Sequence, residues 1–245
     1  MIIALFFTGI ISGAVAGFFG VGGGMILIPM LLLLGFSMKS VIGISIMQMM
    51  FSSIYGSYLN FNKNKYLLKD GSIIGLGGFI GGSLSGFIIS SIDEQVLKYL
   101  FLFIVILAIY RVSTTKATQT ENTIEKKHSI FLLFIIGFVI GLIAMSLGIG
   151  GAVMLTPILV SYLHYNLKES SSLGLFFVIF SSTAGFISQS IHGNIEYHFA
   201  IIVACASLVG VFAGIKLKNI IHIKSYKKYI LILYFVIFLT TLYKL

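Results

Sequence analysis

Charge, cysteine and proline are all scarce in this chain. Charged residues make up 9% of it and hydrophobic residues 58%, and its mean hydropathy is +1.08. A soluble domain of 245 residues could not hide that much apolar surface, so lipid is the solvent implied. The single cysteine, Cys205, excludes an internal disulfide and any multi-cysteine metal site. Within an apolar stretch it reads as a small packing residue. No Asp, Glu, Lys or Arg falls in the middle of a long apolar run; Asp70, Asp93, Glu94, Glu169 and Glu196 all stand near run ends. Intramembrane carboxylates are the usual mark of a proton relay, so their absence speaks against a carboxylate-based proton antiporter. The net charge of +9 comes from lysines gathered between the apolar runs. That placement suits loops flanking a membrane rather than a nucleic-acid surface.

The two prolines are the most informative residues. Each follows a glycine-rich break inside a long apolar run. Gly20-Val21-Gly22-Gly23-Gly24 precedes Pro29, and Gly148-Ile149-Gly150-Gly151-Ala152 precedes Pro157. Gly20, Gly22, Gly23 and Pro29 recur 128 positions later as Gly148, Gly150, Gly151 and Pro157. Further on, Ser52, Ser53, Gly56 and Gly81 recur 129 positions later as Ser181, Ser182, Gly185 and Gly210. A helix breaker at matching places in two halves is the best pointer in sequence to a transporter's binding site.

The apolar runs are Ile2–Leu34, Val41–Phe61, Ser72–Ile92 and Val96–Val112, then Ile130–Leu163, Ser172–Ile191, Phe199–Ile215 and Tyr229–Tyr243. The expected organisation is a first transmembrane repeat over 1–112, a polar linker over 113–129 and a second repeat over 130–245. The N-terminus has no basic n-region and reads as the first membrane segment, not a cleaved signal. Each long run would exceed the roughly 30 Å hydrocarbon core as one straight helix. The glycines cut the first into arms Ile2–Phe19 and Met25–Leu34. These could form a re-entrant hairpin, a hinged span or two short passes, with the break inside protein or lining a cavity.

Basic residues favour one arrangement. If each long run returns to its starting side, each half crosses an odd number of times and the halves are inverted. Thirteen basic residues, from Lys63 to Lys228, then share a side, and only Lys39, Lys98 and Lys244 lie opposite. The positive-inside rule makes the crowded side, and the linker, cytoplasmic. The fold class expected is an all-α polytopic membrane protein with two homologous halves, as inverted repeats. Each half has a glycine-broken first helix plus three spanning helices.

The breaks have a plain chemical use. Helix arms starting near Gly24 and Ala152 would aim free N–H groups and a positive dipole end at the break, making an anion site without a buried cation. The candidate substrate-binding residues are Gly20, Gly22, Gly23, Gly24, Gly148, Gly150, Gly151 and Ala152, with Pro29 and Pro157 as hinges. Neutral donors stand nearby in sequence. Ser45, Gln48, Ser52 and Ser53 share one helical face, and Ser181, Ser182, Ser188 and Gln189 form a similar group; Gln48 and the two serine pairs are the candidate contacts. Packing is the alternative use of such residues, and it accounts for Gly13/Gly17, Gly78/Gly82, Gly137/Gly141 and Gly210/Gly214. His192 reads as interfacial. No nucleophile–base pair, P-loop, metal set or cofactor motif is present, so catalysis is not expected.

The early Gly-x-Gly-Gly-Gly with a proline several residues on, repeated after a hydrophilic linker, resembles the TauE/SafE family of sulfite exporters over essentially the whole chain. Gly43-Ile44-Ser45 is similar to a segment expected in the second span of each half. The second half departs from it with Ser172-Leu173-Gly174, and Ala152 replaces the third glycine. The resemblance implies a multi-pass permease of the bacterial inner membrane for small sulfur-containing anions such as sulfite, sulfoacetate or other organosulfonates; the paired breaks themselves suggest alternating access, one half rocking against the other. Its partners would be a small anionic substrate and membrane lipid, with no nucleic acid; oligomeric state is not specified. A membrane scaffold or assembly subunit, with glycines used for packing only, is the competing class.

Overall fold

The computed structural model describes residues 1–20, 22–59, 65–114, 128–165, 167–220 and 226–243. The described residues carry helices and no strand. They are α1 (Ile2–Phe19), α2 (Gly24–Leu33), α3 (Met38–Leu59), α4 (Lys65–Ser83), α5 (Ser85–Ser91), α6 (Glu94–Thr114), α7 (Ile130–Leu147), α8 (Ala152–Ser161), α9 (Leu167–Ile191), α10 (Tyr197–Ile220) and α11 (Tyr226–Tyr243). The expected polar linker lies, over 115–127, outside the described residues. Five helical stretches are long and apolar enough to cross a membrane: Ile2–Phe19, Lys69–Ser91, Ile130–Leu147, Ser172–Ile191 and Tyr197–Leu217. α2 and α8 are apolar but only 10 residues each, about 15 Å, or half the hydrocarbon core.

Polar and apolar groups are distributed the reverse of a soluble protein. Ser12, Ser45, Gln48, Ser52, Ser53, Ser181, Ser182, Gln189 and Ser207 are buried, while Phe7, Phe87, Phe103, Phe131, Val209 and Phe212 are exposed. A shell of that kind is stable only against lipid, where small and polar residues draw helices together instead of a hydrophobic driving force.

Glycine sets which helices touch. α1 lies along α10 with Gly9, Gly13 and Gly17 against the carbonyls of Val203, Ser207 and Val211, and Gly210 and Gly214 against those of Ile10 and Ala14. α7 lies along α4 in the same way: Gly137 and Gly141 face the carbonyls of Ile74 and Gly78, while Gly77 and Gly81 face those of Phe134 and Phe138. Any Cβ at these contacts would overlap backbone, so the helices approach as closely as they do because the side chain is a hydrogen. In both pairs the residue numbers rise together, so the two helices run parallel.

Each broken segment turns back on itself. α1 starts beside the start of α10, and Phe36, just past α2, meets Phe199 near that same start, ring centroids 5.2 Å apart. α7 starts beside the start of α4, and Tyr165, just past α8, bonds Asp70 near that start. α1–α2 and α7–α8 are therefore helical hairpins with the glycine breaks at their tips. α3 and α9 pack against each other and against α2 and α8 respectively.

One apolar run departs from expectation. Ser72–Ile92 is interrupted at Leu84, which separates α4 from α5. Neither glycine nor proline occupies the interruption. The Ser188 hydroxyl of α9 donates to Ser83 O at 2.6 Å and accepts the Gly86 amide at 3.0 Å. A neighbouring helix thus takes over the hydrogen bonds that the interruption releases.

Candidate functional site

At the first break α1 ends on Gly20 in the left-handed region (φ 71), and Gly22 and Gly23 follow at φ 85 and 78. At the second, α7 ends on Gly148 (φ 64) and Gly150 follows at φ 80. An L side chain is strained at these angles, which is why glycine recurs there. Each helix then restarts with open amides. Ile26 and Leu27 bond back to Gly23 O, and Val153, Met154 and Leu155 to Gly150 and Gly151 O. Among the described residues, the amides of Gly24, Met25, Gly151 and Ala152 have no acceptor. Each break therefore presents a helix N-terminus with free donors and a positive dipole end.

The two breaks meet. A Cβ placed on Gly22 would be 3.5 Å from Gly150 Cα, 3.5 Å from Met49 Sδ and 3.6 Å from Val178 Cγ1. A Cβ on Gly24 would overlap the Gly148 carbonyl oxygen. The Ser45 hydroxyl donates to that oxygen at 2.7 Å. The contact lies beside α3 at Ser45–Met49 and beside α9 at Gly174–Val178, about halfway along both helices. The breaks are in van der Waals contact.

The two departures noted in the second repeat are one compensating exchange. Gly24 at the start of α2 faces Ser45; at the corresponding places Ala152 at the start of α8 faces Gly174, where an added Cβ would sit 3.0 Å from Ala152 Cβ. One small side chain fits between the hairpin tip and the long helix, and each half supplies it from the opposite partner.

Gln48 is fully buried, and neither its amide nitrogen nor its amide oxygen has a hydrogen-bond partner. Its Nε2 would lie 3.1 Å from a Cβ on Gly23. A buried, unpaired amide costs stability unless something else satisfies it.

The serine pairs behave differently. Ser52 and Ser53 donate to Met49 O and Met50 O, and Ser182 to Val178 O at 2.5 Å; Ser181 is shared between Phe177 O and Val178 O. Their protons are committed to their own helices. Pro29 and Pro157 stand inside α2 and α8, past the breaks rather than at them. Gln189 accepts a bond from Asn194 at 2.8 Å at the far end of α9, away from the breaks. His192, at that same end, has Nδ1 2.8 Å from Ser188 O and borders a cavity of about 170 Å³ with Phe79, Ser83 and Ser188.

At the opposite end Tyr165 donates to Asp70 at 2.5 Å, and His128 lies beside its ring. Burial, then the Asp70 carboxylate, hold the Tyr165 phenol well above the usual tyrosine range, so it remains a donor at neutral pH.

A lipid-facing helical shell around two abutting broken hairpins defines a multi-pass membrane transporter, with a polar interior at the breaks and no catalytic set among the described residues. Residues 5–241 match the family model for the sulfite exporter TauE/SafE, and the chain belongs to that family of membrane transporters. It is 25% identical over 227 residues to the probable membrane transporter protein YdhB of Bacillus subtilis, covering 90% of each chain. A probable membrane transporter protein of Methanocaldococcus jannaschii is 26% identical over 192 residues, covering 75% of this chain and 70% of its own. One from Haemophilus influenzae is 24% identical over 214 residues, covering 87% and 83%. No solved structure matches.

Proposed function

We propose that this transporter moves small sulfur-containing oxyanions, such as sulfite, sulfoacetate or other organosulfonates, across the bacterial inner membrane by alternating access. The observation that carries the reading is the contact of Gly22 with Gly150, which joins two helix N-termini with open amides about halfway along α3 and α9. Separated slightly, those tips form a water-poor site with donors and positive dipole ends and no buried cation, as an anion of modest charge requires. The two halves, 1–112 and 130–245, are in this reading inverted repeats. Its support is that α1–α2 returns to the end marked by Phe36 and Phe199, whereas α7–α8 returns to the opposite end, marked by Asp70 and Tyr165. Lys69 and Arg111 also belong to that second end, so it and the linker face the cytoplasm. The serine pairs would join the site only if ligand draws them from their own helices.

The test is flux in proteoliposomes of the full chain. Wild-type protein should carry sulfite or methanesulfonate, and Gly150→Leu, which puts a side chain at the residue where the tips meet, should abolish that flux while the protein still elutes as a folded species from detergent. Undiminished flux in Gly150→Leu would refute the site. Absence of flux for every sulfur oxyanion in the wild type would refute the substrate class.

A further inference from the structure

The two breaks are alike in backbone but not in what covers them. Gln48 lies against break one, its amide nitrogen close to Gly23 and both its polar atoms unpaired although it is fully buried. The residue 129 positions later is Phe177, also fully buried. Its ring fills the space beside Gly151, in a slot whose other wall is Gly78. Phe177 thus occupies at break two the place that Gln48 occupies at break one. Ser45, the other polar residue at the first tip, is matched by Gly174 at the second. Between the tips, the remaining walls are Met49 Sδ and Val178 Cγ1.

We propose that the site has one polar pole: the charged head of the substrate is held at break one by the Gln48 amide and the Gly24 and Met25 N–H groups, and Phe177 closes break two against the substrate's apolar remainder. This rests on the anion-transport reading and refines it. The ligand class is a small monoanion with oxygens at one end and a nonpolar face at the other, which narrows the candidates to methanesulfonate-like anions and excludes sulfoacetate, whose carboxylate would meet the apolar wall. The Gln48 amide has a donor to spend because nothing among the described residues takes it, and a hydrogen bond to an ionised oxygen is among the stronger ones available in such a site. At break two the amides of Gly151 and Ala152 are open, but the adjoining wall is an aromatic ring, which offers an oxyanion nothing. A fully oxygenated dianion such as sulfate would leave oxygens unpaired against Met49, Val178 and Phe177, a costly arrangement in a dry site. Specificity therefore comes from the apolar wall as much as from the polar one.

The experiment uses the full-length protein in detergent, with thermal melting followed against methanesulfonate and against sulfate, and methanesulfonate uptake measured in proteoliposomes. Wild type should be stabilised by methanesulfonate and not by sulfate, since a ligand of the native state raises its melting temperature by mass action. Gln48→Met should weaken the methanesulfonate response about tenfold, the loss of one charge-assisted hydrogen bond. Gln189→Met, which removes a buried amide at the far end of α9, away from the breaks, should leave the half-saturating concentration within about twofold. Gln48 forms no bond in the protein, so Gln48→Met and a second variant, Gln48→Leu, should melt no lower than wild type without ligand. A role confined to packing would give the opposite pattern. Equal weakening in Gln48→Met and Gln189→Met, an unchanged response in both Gln48 variants, or sulfate protection matching methanesulfonate would each overturn the one-poled site. If the wild type responds and the Gln48 variants respond equally, only this refinement fails. If the wild type neither responds to nor takes up methanesulfonate or sulfite, the anion-transport reading fails with it.

Discussion

Gly24→Ala is the smallest change that tests whether the hairpin tips abut as described. The backbone at Gly24 is ordinary helix, so alanine brings no conformational strain and would raise helix propensity in isolation. Its methyl group, however, would overlap the Gly148 carbonyl oxygen and come within 2.5 Å of Ser45 Oγ and 2.9 Å of Met49 Sδ. The carbonyl must retreat by roughly 1 Å to restore van der Waals contact, and the Ser45–Gly148 hydrogen bond opens with it. Overpacking costs about 1–3 kcal/mol and the lost bond about 1 kcal/mol more. For a chain of this size a destabilisation of about 2–4 kcal/mol lowers the melting temperature by about 4–16 °C. Gly22→Ala provides the contrast. Its Cβ would make only ordinary contacts, and its penalty is the positive φ of 85°, about 1–2 kcal/mol. Gly24→Ala should therefore melt below Gly22→Ala, although intrinsic backbone preference orders them the other way. Combining Gly24→Ala with Ser45→Gly recreates the pairing of Ala152 with Gly174, so the double variant should lose less than the sum of the singles, by about 0.5 kcal/mol or more. A Gly24→Ala protein that melts with the wild type would refute the contact between the breaks.

Two further outcomes follow from the packing. Ser188→Ala removes the hydroxyl that joins Ser83 O to the Gly86 amide; leaving that amide unpaired costs about 1–3 kcal/mol, and hydrogen exchange at Gly86 should accelerate, whereas unchanged exchange would show that another group holds the α4–α5 interruption. Tyr165→Phe removes the bond to Asp70, a loss of about 1 kcal/mol after allowance for a half-buried site. The folded state holds the Tyr165 proton more tightly than the unfolded chain does, so this contribution is complete below about pH 10 and declines above it. Wild type should lose stability on alkaline titration more steeply than Tyr165→Phe, and parallel curves would refute the assignment.

Much of this architecture could be read from local sequence because its signals are backbone constraints. The run of glycines at 20–24 and 148–151 marked both hairpin tips to within a residue, since few other residues tolerate the φ values found there. The glycine pairs of α1, α4, α7 and α10 announced close helix contacts, though not with which partner; the pairing of α1 with α10 and of α7 with α4 joins residues nearly 200 and 60 positions apart. The interruption at Leu84 falls in the Gly/Ser-rich stretch Gly81-Gly82-Ser83-Leu84-Ser85-Gly86, but the bonds that hold it come from a serine on another helix, which its own segment cannot show. Shared helical face placed Ser52 and Ser53 with Gln48, and Ser181 and Ser182 in a similar group on the second half, but cannot distinguish a free hydroxyl from one bonded to the preceding turn. Phe177 escaped notice because an aromatic residue in an apolar run looks like core. Only its 129-residue offset from Gln48 could have singled it out.

The same offset exposes an inequality at the two ends of the molecule. Phe36 and Phe199, which close the α1–α2 hairpin onto α10, correspond to Tyr165 and Asp70, which close α7–α8 onto α4. One closure is an edge-to-face aromatic contact, worth about 0.5–1.5 kcal/mol beyond its buried area. The other is a hydrogen bond to a carboxylate, about 1 kcal/mol at this half-buried site. Under the alternating-access reading, a backbone that trades places between its halves does not trade equal contacts. Opening one end parts two rings, whose contact does not depend on pH. Opening the other parts a phenol from a carboxylate, a contact that ionisation of Tyr165 at alkaline pH would remove. In that reading the near-symmetry of the helices would supply the two states, and the unequal side chains at Phe36/Tyr165, Phe199/Asp70 and Gln48/Phe177 would set their relative energies.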